Sequence, residues 1–211
     1  MLEARALECT RGDRTLFRDV SFTLANSGLL HVAGDNGSGK TTLLRILTGL
    51  GAAQAGEVLW CGEPLFSVRE TYARDMVYVG HSAALKDDLS ALENLHVSML
   101  LAGLAVTPTV ARRALAEFGL EECLGLPARL MSQGQRRRAV LARVALSADA
   151  PLWILDEPFN ALDKEAVLHL EALLTCHVDA GGMLVITTHQ DAPITTRATQ
   201  RLVLADHGAR A

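Results

Sequence analysis

Cysteine pairs and long apolar runs are both missing from this sequence, and each absence excludes a class of protein. The four cysteines form no CxxC pair, so no zinc knuckle and no redox motif is predicted. The longest apolar stretch, from Val97 to Val106, is interrupted by Ser98 and Gly103 and is too short to span a bilayer. The N-terminal residues are charged and lack the apolar segment of a signal peptide. We therefore expect free thiols and a protein in the cytoplasm, where any membrane span comes from a partner.

A strong excess of one charge is also absent. The formal net charge is −4, from 20 basic and 24 acidic residues, which disfavours broad binding to nucleic acid. Hydrophobic residues make up 49% and charged residues 21% of the chain, a balance that excludes a disordered protein. The length of 211 residues predicts a single domain. Lysine is scarce, and one of its few occurrences, Lys40, lies in a glycine-rich segment.

Hydrophobic patterning predicts an α/β fold with a mostly parallel sheet, an N-terminal β part and an inserted α-helical block. Strands are predicted within residues 1–33 and at 57–61, 76–79, 152–155, 183–187 and 202–204. Helices are predicted at 41–50 and after the capping residue Asp163. Residues 85–147 have helical spacing and no convincing strand, so residues 1–84 and 148–211 are expected to form the core.

The glycine-rich segment fits the phosphate-binding pattern GxxxxGK[ST]. Its glycines let successive backbone N–H groups curl around phosphate oxygens, and the following helix points its positive end at the same anion. Lys40 would reach the β- and γ-phosphates, and Thr41 would ligate Mg²⁺. The strand before the segment and the helix after it support nucleotide binding by these residues: Gly34, Asp35, Asn36, Gly37, Ser38, Gly39, Lys40, Thr41 and Thr42.

Two acids directly follow the apolar strand at 152–155. Because ligands of α/β sheets bind at the carboxyl ends of strands, we expect Asp156 and Glu157 beside the phosphates. Asp156 would hold Mg²⁺ together with Thr41, and Glu157 would deprotonate the attacking water. His189 follows another buried strand and is a candidate for contacting the γ-phosphate or that water. Taken alone, the two acids could also be ordinary capping or turn residues.

Several further motifs resemble those of ABC-type ATPases. Residues 131–135, Met-Ser-Gln-Gly-Gln, resemble the LSGGQ signature of that family, residues 160–163 resemble its D-loop, and His189 resembles its H-loop. Residues 89–95 look like the start of its helical subdomain. The resemblance covers nearly the whole chain and implies the P-loop NTPase fold of an ABC nucleotide-binding domain, with an N-terminal antiparallel β part. It implies hydrolysis of ATP with Mg²⁺ and adds further nucleotide-binding residues: His81, Ser132, Gly134, Gln135 and Asp163.

The same resemblance implies a homodimer of nucleotide-binding domains. In this family, each ATP lies between the P-loop of one protomer and the signature motif of the other. ATP closes the dimer, hydrolysis opens it, and the motion passes to an integral membrane subunit near the helical subdomain. No nucleic-acid partner is expected.

Three positions depart from the pattern of the family. His81 stands where a glutamine usually lies, which puts its contact with the Mg²⁺ shell in doubt. Gln133 replaces the first glycine of the signature. Thr10 and Arg11 stand where an aromatic side chain usually stacks on adenine, and Arg11 is equally well explained as a surface charge. The basic run at 136–138 is predicted to be a solvated face.

Within the family, residues 56–60, His81 and residues 152–159 look like the CcmA group of cytochrome c maturation systems. That resemblance implies a peripheral protein at the cytoplasmic face of the bacterial inner membrane, acting in haem export or in release of a haem-loaded chaperone. Its partners would be an integral CcmB-like subunit and CcmC-, CcmD- and CcmE-like components. The ATP-binding subunit of another ABC exporter with unknown cargo is an open alternative. A soluble ABC protein acting on DNA or ribosomes is disfavoured by the acidic balance, and a small P-loop kinase by the signature and D-loop motifs.

Overall fold

The computed structural model describes residues 1–188, 194, 196 and 198–204, which form two β-sheets with helices packed around them. The strands are β1 (Leu2–Arg11), β2 (Arg14–Leu24), β3 (Gly28–Ala33), β4 (Ala55–Trp60), β5 (Glu63–Pro64), β6 (Met76–Val79), β7 (Leu152–Asp156), β8 (Met183–Thr187) and β9 (Ala198–Val203). The α-helices are α1 (Lys40–Leu47), α2 (Arg69–Asp75), α3 (Ala91–Leu101), α4 (Pro108–Glu117), α5 (Gln133–Ala145) and α6 (Lys164–Asp179).

The smaller sheet is antiparallel, with strand order β2-β1-β4-β5. A tight turn at Gly12, whose φ is +60°, reverses the chain between β1 and β2 and sets Arg11 opposite Arg14. Alternating side chains of these strands are buried, among them Leu7, Val20 and Leu24. This sheet therefore has one apolar face, which packs on a core shared with α1 and the larger sheet.

The larger sheet is parallel, with strand order β6-β7-β8-β3-β9. All residues of β3, β7 and β8 are buried, which explains their near-continuous apolar sequences. Because these three strands are parallel, their carboxyl ends meet at one edge of the sheet. The predicted phosphate-binding segment and Glu157 lie in the loops that follow β3 and β7, and Asp156 is the last residue of β7.

A block of helices lies in the sequence between β6 and β7. Helices α3, α4 and α5 pack on one another through buried residues such as Leu95, Met99, Leu115 and Leu141. Helices α3 and α5 each begin with a capping box, in which the Ser hydroxyl and the third residue of the helix satisfy each other's backbone N–H groups. Within the described ranges, none of the helices has the length and apolar character needed to cross a membrane.

The predicted α/β architecture, with its parallel sheet, N-terminal antiparallel part and helical insertion, is confirmed. The strand predicted at 183–187 has the observed bounds, and the helix predicted from residue 41 begins at Lys40. The last strand begins at Ala198, four positions before its predicted start, because its exposed first half lacks an apolar signal. The short elements β5 and α2 were not predicted.

Candidate active site

The loop between β3 and α1 contains the predicted phosphate-binding glycines. Gly34 has a φ of +146°, and a Cβ added there would lie 2.6 Å from Ser38 Oγ, so only glycine fits this position. Gly39, with a φ of +101°, is the N-terminal cap of α1. The Ser38 hydroxyl is buried and has no hydrogen-bond partner among the described residues. The loop thus wraps tightly around the start of α1, where backbone N–H groups and the helix end favour an anion.

Lys40, the first residue of α1, is folded back over this loop. Its Nζ donates hydrogen bonds to the Gly34 carbonyl at 2.7 Å and to the Asp35 carbonyl at 3.2 Å. The side chain is buried, and these two carbonyls satisfy part of its donor capacity. The ammonium group is therefore held above the concave face of the loop.

Asp156, at the end of β7, is buried and joined to two hydroxyl groups. Thr41 Oγ1 donates to its Oδ2 at 2.7 Å, and Thr187 Oγ1 donates to its Oδ1 at 2.7 Å. A carboxylate and a threonine hydroxyl in contact are hard oxygen ligands of the type that Mg²⁺ prefers. The residues present therefore fit a magnesium ion bound next to the phosphate loop.

Glu157 follows Asp156 in a left-handed conformation with a φ of +51°, which is rare for a residue with a side chain. Its backbone N–H donates to Thr187 Oγ1 at 2.8 Å, so Thr187 holds both acids. The side chain is 5% exposed and lines the same cavity as Lys40 and Thr41. Glu157 is therefore one of the residues that line the cavity beside the phosphate loop.

A cavity of about 310 Å³ gathers most of the predicted nucleotide-binding residues. Arg11 from the end of β1 also borders it, as the adenine-stacking hypothesis requires. His81, which follows β6, also lines this cavity. The lining residues are Arg11, Leu16, Asp35, Asn36, Gly37, Gly39, Lys40, Thr41, Thr42, His81, Asp156 and Glu157.

The residues of the signature motif lie outside this cavity, at the start of α5. Ser132 caps the helix: its Oγ accepts from the Gln135 N–H, and Gln135 Oε1 accepts from the Ser132 N–H. Gln135 Nε2 also donates to Cys123 Sγ at 3.1 Å. A Cβ added at Gly134 would lie 2.7 Å from the Ala161 carbonyl, so the signature helix and the D-loop are in close contact.

Asp163, at the end of the D-loop, caps α6 through its Oδ1, which accepts from the Ala166 N–H. Its Oδ2 lies 3.4 Å from Arg138 Nη1 on α5, a second link between the two motifs. A second cavity, of about 460 Å³, lies beside this pair of motifs and shares His81 with the first. Its lining residues are His81, Ser82, Ala83, Gln133, Arg136, Arg137, Asn160 and Ala161.

The prediction that 136–138 form a solvated face is wrong for Arg137, which is only 5% exposed. Its guanidinium donates to four backbone carbonyls: Gly80 (2.8 Å), Asp156 (2.7 Å), Glu157 (2.8 Å) and Pro158 (3.3 Å). Burial lowers the pKa of this guanidinium, and the charges of Asp156 and Glu157 oppose that shift. The sequence held no local signal for this role, because the acceptors are backbone atoms from distant segments.

His189, predicted to contact the γ-phosphate, lies outside the described residues. The preceding Thr188, which directly follows β8, is buried, and its carbonyl lies 3.5 Å from His31 Nε2.

The chain is similar to proteins of one known family. The family model described as ABC transporter matches residues 17–160. The chain is 49% identical over 199 residues to a cytochrome c biogenesis ATP-binding export protein CcmA from Aromatoleum aromaticum, covering 94% of this chain and 93% of that protein. It is 48% identical over 203 residues to the protein of the same name from Nitrosospira multiformis, covering 96% and 98%.

Among solved structures, an ATP-binding subunit of an ABC transporter superposes with a TM-score of 0.79 at 28% identity, covering 90% of this chain and 79% of that one. The family model covers more than half of the chain, and the near-full-length relatives are close to 50% identical to it. These matches show the family of the chain. The chain belongs to the ABC transporter ATP-binding family, whose members are ATPases, and within it to the CcmA proteins of cytochrome c biogenesis.

Proposed function

We propose that this chain hydrolyses ATP at a site shared between two copies and thereby drives an inner-membrane complex in c-type cytochrome biogenesis. The observation that carries the proposal is the meeting of Lys40, Thr41, Asp156 and Glu157 around one cavity. Phosphoryl transfer to water requires a phosphate-binding lysine, a pair of hard oxygen ligands for the metal ion and a separate carboxylate. The names of the near-full-length relatives supply the process.

In this mechanism, the loop from Gly34 to Gly39 binds the phosphates through its backbone N–H groups and through the start of α1. Lys40 moves from the loop carbonyls to the β- and γ-phosphate oxygens and neutralises part of their charge. Thr41 and Asp156 would hold Mg²⁺, which would supply further positive charge to the phosphate oxygens. Arg11, which borders the cavity, stacks on the base.

Glu157 acts as the general base. It accepts a proton from a water molecule while the water oxygen attacks the γ-phosphorus atom, and the bond to the ADP oxygen breaks. His189 would orient this water or donate to a γ-phosphate oxygen. His81 replaces the glutamine of other family members and contacts the same water or the phosphate through its imidazole.

The signature residues Ser132, Gly134 and Gln135 and the D-loop residue Asp163 act on a second copy of the chain. Their neighbours Gln133, Asn160 and Ala161 line a different cavity from Lys40, so a single chain would hold two separate halves of a site. A two-fold dimer would place the α5 end of one copy against the γ-phosphate held by the other.

Residues 85–147 form the helical subdomain that contacts an integral, CcmB-like membrane subunit, in a complex that includes CcmC-, CcmD- and CcmE-like components. Leu100 and Leu101 at the end of α3 are 63% and 83% exposed, an apolar surface suited to a protein partner. This chain would then lie at the cytoplasmic face of the bacterial inner membrane. The process would be haem export or release of a haem-loaded chaperone.

The test is deletion of the gene in its host, followed by haem staining of membrane proteins and complementation. We expect c-type cytochromes to disappear, to return with the wild-type gene, and to stay absent with Lys40→Ala. Lys164→Ala is the matched control, since this lysine is exposed at the start of α6. Unchanged c-type cytochromes in the deletion strain would refute the cytochrome assignment and favour an ABC exporter with another cargo.

A further inference from the structure

Arg137 is a buried arginine in the helix that carries the signature motif, and it spans three separate parts of the site. Its four acceptors are the backbone carbonyls of three consecutive residues, 156–158, and of Gly80. Residues 156–158 form the corner after β7 that contains Glu157, and Gly80 directly precedes His81. Arg137 itself lies five positions after Ser132, the cap of α5.

The planar shape of the guanidinium group suits these four carbonyl acceptors. A buried charge is costly unless it is hydrogen-bonded, and here every acceptor is a neutral carbonyl held by the backbone. The planar fork of arginine presents five N–H donors in fixed directions, whereas lysine has one compact ammonium group. Four donor–acceptor contacts to two segments therefore fix the guanidinium and the two loops relative to one another.

This contact bears on Glu157 in particular. The left-handed backbone of Glu157 is intrinsically strained, and such a conformation persists only where its surroundings hold it. Arg137 holds the carbonyl of Glu157 and those on both sides of it, while Thr187 holds its N–H. The direction of the Glu157 side chain thus depends on a residue of α5.

We propose that Arg137 is a positioning residue for ATP hydrolysis, which fixes Glu157 and the His81 loop relative to the signature helix. The inference rests on the proposed function, because it assigns Arg137 a role through Glu157. Small misplacements of a reacting group lower the rate of the chemical step by up to about 10²-fold, while substrate binding to other residues is little affected. Arg137 should therefore affect kcat far more than KM.

The experiment measures steady-state ATP hydrolysis, affinity for a fluorescent ATP analogue and thermal unfolding of the purified full-length chain. The variants are Arg137→Lys, which keeps the charge and loses the fork, and Arg137→Met, which keeps much of the volume. Arg143→Lys is the matched control. This arginine lies on the same helix and is partly buried, and its Nε has no hydrogen-bond partner among the described residues.

We expect Arg137→Lys to lower kcat by about 10- to 100-fold with KM and analogue affinity changed by less than about threefold. Arg143→Lys should keep kcat within about twofold of wild type. Unchanged kcat in both Arg137 variants would overturn the proposal. It would also be overturned if both variants unfold below the assay temperature or lose nucleotide affinity in parallel with kcat, since Arg137 would then be a general structural residue.

Failure of this inference differs from failure of the proposed function. If the wild-type chain hydrolyses ATP and Glu157→Gln does not, the function stands, and only the Arg137 variants decide the inference. If wild type and Glu157→Gln hydrolyse ATP equally, Glu157 is not the base, and the proposed mechanism fails before Arg137 is considered.

Discussion

At the scale of single residues, Glu157 is the side chain on which the proposed hydrolysis step depends. Glu157 lines the phosphate cavity, and the neighbouring carboxylate of Asp156 accepts hydrogen bonds from two threonine hydroxyls. Two adjacent acids therefore have different environments and different proposed roles. We propose Asp156 as a ligand of Mg²⁺ and Glu157 as the proton acceptor.

Glu157→Gln should slow ATP hydrolysis by two or more orders of magnitude, since an amide cannot accept the proton of the attacking water. ATP binding should persist, because Lys40 and the loop glycines are unchanged. The measurements are turnover and, on a sizing column, the elution volume with and without ATP, where we expect an ATP-stabilised dimer. Wild-type turnover in this variant would rule out Glu157 as the base.

The residues of the phosphate cavity could be predicted from the sequence, and Arg137 could not. Lys40, Thr41 and the glycines form one continuous segment, so their chemistry and spacing are visible together. Arg137 donates hydrogen bonds to backbone carbonyls about 20 and 57 positions away. Because every residue has a backbone carbonyl, the sequence does not show which ones accept these hydrogen bonds. Because Arg137 lies inside a run of three arginines, the sequence predicted a solvated side chain, and this prediction was wrong.

At the scale of elements, the capping boxes of α3 and α5 are a natural matched pair. Ser90 with Glu93, and Ser132 with Gln135, make the same two reciprocal contacts. Only the box of α5 belongs to the signature motif. The two serines therefore separate helix stability from a role in the nucleotide site.

Ser90→Ala and Ser132→Ala should each lower the free energy of unfolding by about 1 kcal/mol, the usual cost of a lost helix cap. Only Ser132→Ala should also reduce ATP hydrolysis, because the start of α5 is proposed to meet the γ-phosphate. Denaturant titration and turnover measurements check both statements. Equal turnover in the two variants would contradict the role of Ser132 beyond capping.

Helix α6 is attached to the parallel sheet by a buried histidine. The His177 ring stacks on Trp153 of β7 with a centroid distance of 3.8 Å, and its Nε2 lies 3.2 Å from the Met183 carbonyl. A Cβ at Gly182 would collide with this ring, so the glycine makes room for it. Burial lowers the pKa of His177 below its ordinary value of 6.5, an effect that the Met183 hydrogen bond only partly opposes.

This lowered pKa gives a pH dependence of known sign. As the pH falls below about 6.5, the unfolded chain binds a proton at His177 before the folded chain does, so protonation favours unfolding. Wild-type stability should therefore decrease between pH 7 and pH 5. In His177→Gln the stability at pH 7 should be lower, but its decrease over that interval should be smaller. Parallel pH profiles from denaturant titrations would contradict this.

The elements that sequence patterning predicted best are the buried ones. Every residue of β7 and β8 is buried, so their apolar runs marked them clearly. Strand β9 is an edge strand whose first four residues are exposed, and α2 is a short helix with one buried residue, Tyr72. Short or exposed elements are held by tertiary pairing, which hydrophobic periodicity does not register.

At the scale of the whole molecule, the phosphate loop lines one cavity, and residues of the signature motif and the D-loop line another. Substitutions in the phosphate cavity, such as Lys40→Ala, leave the start of α5 intact. Substitutions at Ser132 leave the phosphate cavity intact. If a working nucleotide site combines the phosphate loop of one chain with the signature motif of another, a variant of each kind should complement the other.

Mixing Lys40→Ala with Ser132→Arg should therefore restore ATP hydrolysis that neither variant has alone. Random pairing makes half of the dimers mixed, each with one complete site of two, so about a quarter of wild-type turnover is expected. The matched control mixes Lys40→Ala with Glu157→Gln. Both of these lesions lie in the same cavity, so every mixed dimer lacks a complete site. Activity in the control, or none in the first mixture, would show that the nucleotide site is not divided between chains in this way.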